Sequence, residues 1–191
     1  MADKEYISAE QLQLNAYQLG AMVLESGFCP DLLIGLWRGG APIALAMHEL
    51  LNYCQCHCEV ISLAVSSYQG ATRQRLQIDS LQLNFALSKI NTGSRILLVD
   101  DVHDSGHTLA FVCQQLKLAQ QDYRIAVPYF KPTHSEVDFR PHFYLQETDN
   151  WLVFPHELET LSLQEISQHK TAGNFLADII SRYNDDRHLE L

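Results

Sequence analysis

Leu97-Leu98-Val99-Asp100-Asp101-Val102-His103-Asp104-Ser105-Gly106-His107-Thr108-Leu109 is the stretch whose reading decides the fold. Arg95–Val99 is a short apolar run suited to a strand covered on both faces. Asp100–Gly106 reads as a turn, and His107–Leu118 reads as a helix. Three carboxylates thus fall within five positions at the carboxyl end of a strand, the end where open α/β sheets bind ligands. Ser105-Gly106-His107-Thr108 opens the helix with two hydroxyls and a glycine, so its free backbone N–H groups and dipole suit a phosphate. Acids beside a phosphate cradle repel the phosphate unless they face sugar hydroxyls, a metal ion or a developing cation. The pattern asks for a phosphorylated sugar. Taken alone, the acidic turn has a second reading, a solvated strand end in which Asp104 or Ser105 merely caps the next helix.

Outward from this unit, strands and helices alternate. Ser8-Ala9-Glu10-Gln11 has the form of a capping box, and Leu12, Ala16, Leu19 and Val23 follow at helical spacing until Gly27, which predicts a helix over about Ala9–Ser26. Leu32–Leu36 reads as a buried strand, followed by the loop Trp37-Arg38-Gly39-Gly40 and an apolar helix from about Pro42 to Leu51. Val60–Val65 is a further strand, and the polar stretch Ser66–Ser80, with Gly70, Arg73 and Arg75, reads as a mobile excursion with room for a short hairpin. Tyr123–Phe130 is the next strand. Beyond Lys131 come prolines, aromatic residues, short extended pieces, Trp151–Phe154 and a closing helix over about Ala172–Tyr183. The pattern predicts an α/β fold: a central, mostly parallel sheet flanked by helices, with a smaller C-terminal addition.

Composition bounds what such a fold can do. The 191 residues suit one domain, and 47% hydrophobic against 19% charged residues supplies a core and excludes disordered, collagen-like and coiled-coil classes. A net charge of -10 opposes binding to nucleic acid or anionic membranes, so an anionic ligand needs a local site or a metal. The charged start, Met1-Ala2-Asp3-Lys4-Glu5, and the lack of a long apolar run lead us to expect a soluble, cytoplasmic protein. Cys54, Cys56 and Cys58, with Cys29 and Cys113 apart, make a poor disulfide or zinc framework and read as reduced thiols at a helix-to-strand junction. Neither G-x-x-x-x-G-K-[ST] nor G-x-G-x-x-G occurs, which argues against ordinary nucleoside-triphosphate and dinucleotide sites.

Val99–Leu109 resembles the ribose-phosphate signature of type I phosphoribosyltransferases, two acids followed by a third and a Thr-Gly-x-Thr turn, with Ser105 where threonine is more usual. The resemblance extends to Leu36–Gly40, similar to that family's pyrophosphate loop, and to Ser67-Tyr68, similar to the start of its flexible loop. Lys131 and Trp151-Leu152-Val153-Phe154-Pro155 resemble the purine site of the 6-oxopurine enzymes, although His156 stands where similar bacterial sequences often carry a second tryptophan.

The resemblance implies a single domain over residues 1–191, with a core of about 28–130 and a base-binding and hood segment of about 131–191. It implies transfer of ribose 5-phosphate from 5-phosphoribosyl 1-pyrophosphate (PRPP) to a 6-oxopurine. Asp100 and Asp101 would serve the ribose, and Asp104 would act as proton acceptor at purine N7. Ser105, Gly106, His107 and Thr108 would hold the 5-phosphate, and Arg38 and Gly39 the pyrophosphate, with a cis peptide expected at Trp37-Arg38. Ser67 and Tyr68 would belong to the closing loop, and Lys131, Trp151 and Leu152 to the base site. Mg²⁺ would be the cofactor, on Asp100, Asp101 and Glu157, and a homodimer or higher homo-oligomer the usual state. The residues alone leave Trp151 open to a core role, and Arg73 and Arg75 open to plain solvation. The competing functions are transfer to another nucleobase and a non-catalytic PRPP-sensing regulator, against which the acidic charge and the presence of Asp104 both count.

Overall fold

The computed structural model describes residues 4–69 and 74–187. In chain order it begins with β1 (Lys4–Tyr6), α1 (Ala9–Glu25), β2 (Leu32–Trp37), α2 (Gly40–Tyr53), β3 (Glu59–Gln69), β4 (Gln74–Ile78) and α3 (Ser80–Lys89). It continues with β5 (Arg95–Val99), β6 (Val102–His103), α4 (His107–Gln115), a 3₁₀ turn (Leu118–Gln120) and β7 (Asp122–Phe130). The last elements are β8 (Phe143–Glu147), β9 (Trp151–Val153), α5 (Leu163–His169) and α6 (Gly173–Arg187). They form two compact units, Gln13–Asp149 and Met1–Leu12 with Asn150–Leu191. The division falls after Asp149, since β8 pairs in parallel with β7 and ties residues 143–147 to the main sheet.

That sheet has seven strands in the order β4-β3-β2-β5-β7, with β6 and β8 both on β7. All pairs are parallel except β3–β4. β2 lies between β3 and β5, so its residues from Leu32 to Leu36 are buried. Its even positions, Leu32, Ile34 and Leu36, join Leu98, Ile125, Ala86 of α3, and Leu109 and Val112 of α4 in one apolar cluster. Its odd face takes α2: a Cβ on Gly35 would lie 2.6 Å from the Ala44 methyl, so only glycine lets helix and strand approach this closely. Helices therefore cover both faces, as the unbroken apolar runs required.

The polar stretch Ser66–Ser80 extends β3 to Gln69 and supplies β4, and the two strands pair antiparallel, with Val65 opposite Ile78 and Gln69 opposite Gln74. α3 follows it, unanticipated by the apolar spacing, and Asp79 caps it by accepting from the Leu81 and Gln82 amides. The cysteine expectation is corrected, since Cys29 and Cys56 form a disulfide with their Cα atoms 5.6 Å apart. They lie in the loops entering β2 and β3, and because those strands are parallel neighbours, their entry loops meet although the two cysteines are 27 positions apart. Cys54 and Cys58 precede β3, and both are free. Burial pushes the Cys58 thiol up to about 11.

The smaller unit holds the parallel pair β1–β9, with Lys4 opposite Trp151 and Tyr6 opposite Val153. Tyr6 stacks on His169 at 3.8 Å between ring centres and donates its hydroxyl to Glu165 at 2.8 Å. Ser162 and Glu165 form a capping box at α5. Among the described residues, no helix is long and apolar enough to cross a membrane.

Candidate active site

Because β2 and β5 are adjacent and parallel, the loops leaving their carboxyl ends face each other. The loop after β2 contains a cis Trp37–Arg38 peptide, as expected, and leads into α2 through Gly39 and Gly40. A Cβ on Gly39 would fall 2.0 Å from Asp101 Oδ2, and one on Gly40 would fall 2.2 Å from the Val99 carbonyl oxygen. The glycines are thus what allow this loop to rest on the acidic turn. Arg38 is exposed beside them.

In the acidic turn, the Asp100 carboxylate accepts the Asp101 amide at 3.0 Å. Desolvation, reinforced by the neighbouring Asp101 charge, pushes the Asp100 carboxyl well above its ordinary value. Such a pair favours a proton or a cation. His103 is fully buried, its Nε2 3.1 Å from Ser135 Oγ. Its ring lies under Gly106, which adopts φ 81° at the entry to α4, and a Cβ there would be 2.6 Å from His103 Nε2 and 2.5 Å from Val137. Gly106 therefore has both a conformational and a steric reason to lack a side chain.

A cavity of about 230 Å³ opens on this turn, walled by Asp100, Asp101, Asp104, Ser105, Gly106 and Thr108 among others. The residues expected to hold ribose and 5-phosphate are thereby brought around one space, with the backbone of α4 opening onto it. His107 does not line it; its imidazole is exposed and lies 3.2 Å from Glu136.

Asp104 is held on both oxygens. Lys131 Nζ donates to Oδ2 at 2.9 Å, and His134 Nδ1 is 3.0 Å from Oδ1. Burial pushes the Asp104 carboxyl up, but the hydrogen bonds and charges of Lys131 and His134 outweigh it and leave the group below its ordinary value. Lys131 is 5% exposed and follows β7 directly, its amide donating to the His103 carbonyl at 2.9 Å. The Glu136 amide donates to the Ser105 carbonyl at 2.9 Å, so the segment after β7 is stitched to the acidic turn by backbone as well as side chains. His134 was not legible as a site residue, because a histidine four positions after a strand carries no signal until the strand order is known.

The other expected residues lie in the β3–β4 pair and in the smaller unit. Ser67 and Tyr68 lie in β3, opposite Leu76 and Arg75; their side chains, that of Arg75, and all of Arg73 fall outside the described residues. Trp151 and Leu152 belong to the smaller unit, in β9, where Trp151 is 57% exposed and Leu152 is buried. Exposure excludes the core role for Trp151. Glu157 also belongs there, and its carboxylate accepts the Phe154 amide at 2.9 Å, a turn-closing role. No group of three or more metal-ligating side chains occurs among the described residues.

Comparison with known proteins agrees with this geometry. Residues 10–161 match the model of the phosphoribosyl transferase domain. A hypoxanthine-guanine phosphoribosyltransferase of Lactococcus lactis is 27% identical over 143 residues, 74% of each chain. One of Bacillus subtilis is 25% identical over 159 residues, 82% of this chain and 85% of the relative. The crystal structure of a purine phosphoribosyltransferase from Pyrococcus horikoshii superposes with a TM-score of 0.66 at 26% identity, covering 84% of this chain and 97% of that one.

Proposed function

The chain belongs to the phosphoribosyl transferase family, and from this we propose that it transfers ribose 5-phosphate from PRPP to a 6-oxopurine, yielding a purine nucleoside monophosphate and pyrophosphate. The observation that carries the reading is the cavity in which Asp100, Asp101 and Asp104 share walls with Ser105, Gly106 and Thr108, beside the Gly39 loop. A phosphate cradle flanked by carboxylates fits a phosphosugar whose ring becomes cationic.

In the reaction the bond from C1′ to the pyrophosphate oxygen breaks, a bond from C1′ to a purine nitrogen forms, and the purine loses a proton. Asp100 and Asp101 accept hydrogen bonds from the ribose hydroxyls, and their field favours positive charge on the sugar. The amides of Ser105, Gly106, His107 and Thr108 hold the 5-phosphate at the entry to α4. Arg38 and the Gly39 amide meet the leaving pyrophosphate. Asp104 serves the proton transfer at purine N7, and Lys131 meets the C6 oxygen. Trp151 and Leu152 keep the base-contacting roles that their sequence motif implies.

The donor set fits Mg²⁺. Two adjacent carboxylates, that of Asp100 desolvated, suit an ion that takes one or two carboxylates and completes its shell with substrate oxygens and water. Asp100 and Asp101 would hold it, and it would neutralise the charge of PRPP and its leaving group. We also propose that both units work as one phosphoribosyltransferase domain, in the cytoplasm, as a homodimer or larger homo-oligomer, without nucleic acid or membrane partners.

The test is pyrophosphate release from PRPP with hypoxanthine, guanine, xanthine, adenine or orotate in turn, with Mg²⁺ and with excess chelator. Release with at least one 6-oxopurine, abolished by chelator, is expected. A preference for adenine or orotate would reassign the base, and PRPP binding without release would point to a regulator. Asp104→Asn is expected to retain PRPP binding and to lower turnover by ~10²-fold or more.

A further inference from the structure

His103 is a polar residue in an apolar place. Its side chain is fully buried against Phe130 and Phe139, whose ring centres lie 5.0 and 5.5 Å from that of the imidazole, inclined to it by 81° and 74°. Nδ1 has no hydrogen-bond partner among the described residues, so a ring that merely filled this space would be better replaced by a hydrocarbon of the same shape. Nε2 does have a partner, Ser135 Oγ at 3.1 Å. No step of the reaction as described so far uses this side chain.

Its position gives it work. The His103 carbonyl accepts the Lys131 amide at 2.9 Å, while its ring lies under Gly106, so one residue touches both the base-facing segment and the phosphate cradle. A Cβ on Gly106 would fall 2.6 Å from His103 Nε2 and 2.5 Å from Val137 Cγ2, which means that the Gly106 backbone rests directly on these two side chains. Ser135 joins the two supports. Its hydroxyl donates to the Val137 carbonyl at 3.5 Å, which leaves the His103 Nε2–H to donate to Oγ. The cradle therefore has a floor made of His103, Ser135 and Val137.

We propose that His103 is a positioning residue for the 5-phosphate: its Nε2 bond to Ser135 fixes the floor on which Gly106 rests and so sets where the amides at the entry to α4 meet the phosphate. It touches no reacting atom and leaves the proton transfer to Asp104. The inference rests on the proposed phosphoribosyl transfer, in which the amides of Ser105 to Thr108 hold the 5-phosphate. An apolar residue fills the same volume, but only a side chain with a donor at the Nε2 place links the cradle to Ser135. Because the 5-phosphate is held alike before and during transfer at C1′, a misplaced cradle weakens donor binding and spares the chemical step.

The experiment measures ribose 5-phosphate binding by isothermal titration calorimetry, and KM for PRPP and kcat with the preferred base. The chains compared are the wild type, Ser135→Ala, His103→Leu, His103→Gln and the double variant Ser135→Ala with His103→Leu. Ser135→Ala and His103→Leu are each expected to weaken ribose 5-phosphate binding and raise KM for PRPP by ~3–10-fold, the effect of losing one net hydrogen bond, with kcat within about twofold. His103→Gln brings an amide nitrogen to the Nε2 place and is expected to restore most of the affinity. The double variant should bind no more weakly than the weaker single variant, since both substitutions remove the same bond. Ser135 is only partly buried, so Ser135→Ala carries the test if leucine in the core prevents folding. Unchanged affinity in Ser135→Ala, a fall in kcat alone, additive losses, or a His103→Gln chain as weak as His103→Leu overturns the proposal. A wild type that binds neither ribose 5-phosphate nor PRPP refutes the phosphoribosyl transfer itself.

Discussion

Gly106→Ala separates the two reasons for glycine in the phosphate cradle. With φ at 81°, an alanine there pays about 1–2 kcal/mol for the left-handed backbone. Its methyl would also sit 2.5 Å from Val137 Cγ2 and 2.6 Å from His103 Nε2. His103 is fully buried and held by Ser135, so the cradle rather than the ring must shift, an overpacking cost of about 1–3 kcal/mol. Reduced freedom of the unfolded chain returns about 0.4–1 kcal/mol, leaving a net loss of roughly 1–4.5 kcal/mol. At about 2–4 °C per kcal/mol for a chain of this size, Tm should drop by roughly 2–18 °C. Gly93→Ala is the control, since Gly93 has φ 82° with nothing within 4 Å of its would-be Cβ and so incurs only the backbone cost. Differential scanning calorimetry of both variants isolates the contact term, and PRPP titration should show at least ~10-fold weaker binding for Gly106→Ala and none of that loss for Gly93→Ala. Equal destabilisation with equal PRPP affinity would refute the packing of His103 and Val137 beneath the cradle.

Three further outcomes are expected. Lys131→Met removes a buried ammonium from Asp104 and a donor from the C6 oxygen, and should lower kcat/KM for the preferred oxopurine by ~10–100-fold while narrowing its advantage over adenine; an unchanged ratio would remove Lys131 from base selection. Trp151→Ala should raise KM for the base and leave Tm within about 2 °C, because the ring is 57% exposed; a large loss of Tm would return it to the core. Reduction of Cys29–Cys56, or Cys29→Ser, opens a loop of 27-residue separation and should cost about 3–4 kcal/mol, read as a lower Tm in reductant that the Cys29→Ser variant no longer responds to.

The parts of the fold governed by neighbours in sequence were legible before any coordinates. β2, β5 and β7 announced themselves as apolar runs because each is buried by partners on both sides, and α1 by its cap and apolar spacing. α3 was not, because Leu81, Leu83, Phe85 and Leu87 alternate as a strand would. Its helix is decided by the Asp79 cap and by the packing of Leu83, Ala86 and Leu87 on the core. β1 is three residues long and exists through its pairing with β9, some 145 residues away, so no local pattern could reveal it.

The candidate site divides the same way. Asp100, Asp101, Asp104, Ser105, Gly106 and Thr108 are consecutive or nearly so, and chemistry that lies on one turn and one helix entry can be read from one turn's sequence. Resting the Gly39 loop on Asp101, gripping Asp104 with Lys131 and His134, and joining Cys29 to Cys56 each require knowing which strands are neighbours. Strand order arises from burying the whole apolar surface at once. That is a property of the assembled sheet, and the contacts it creates join residues that have no relation along the chain.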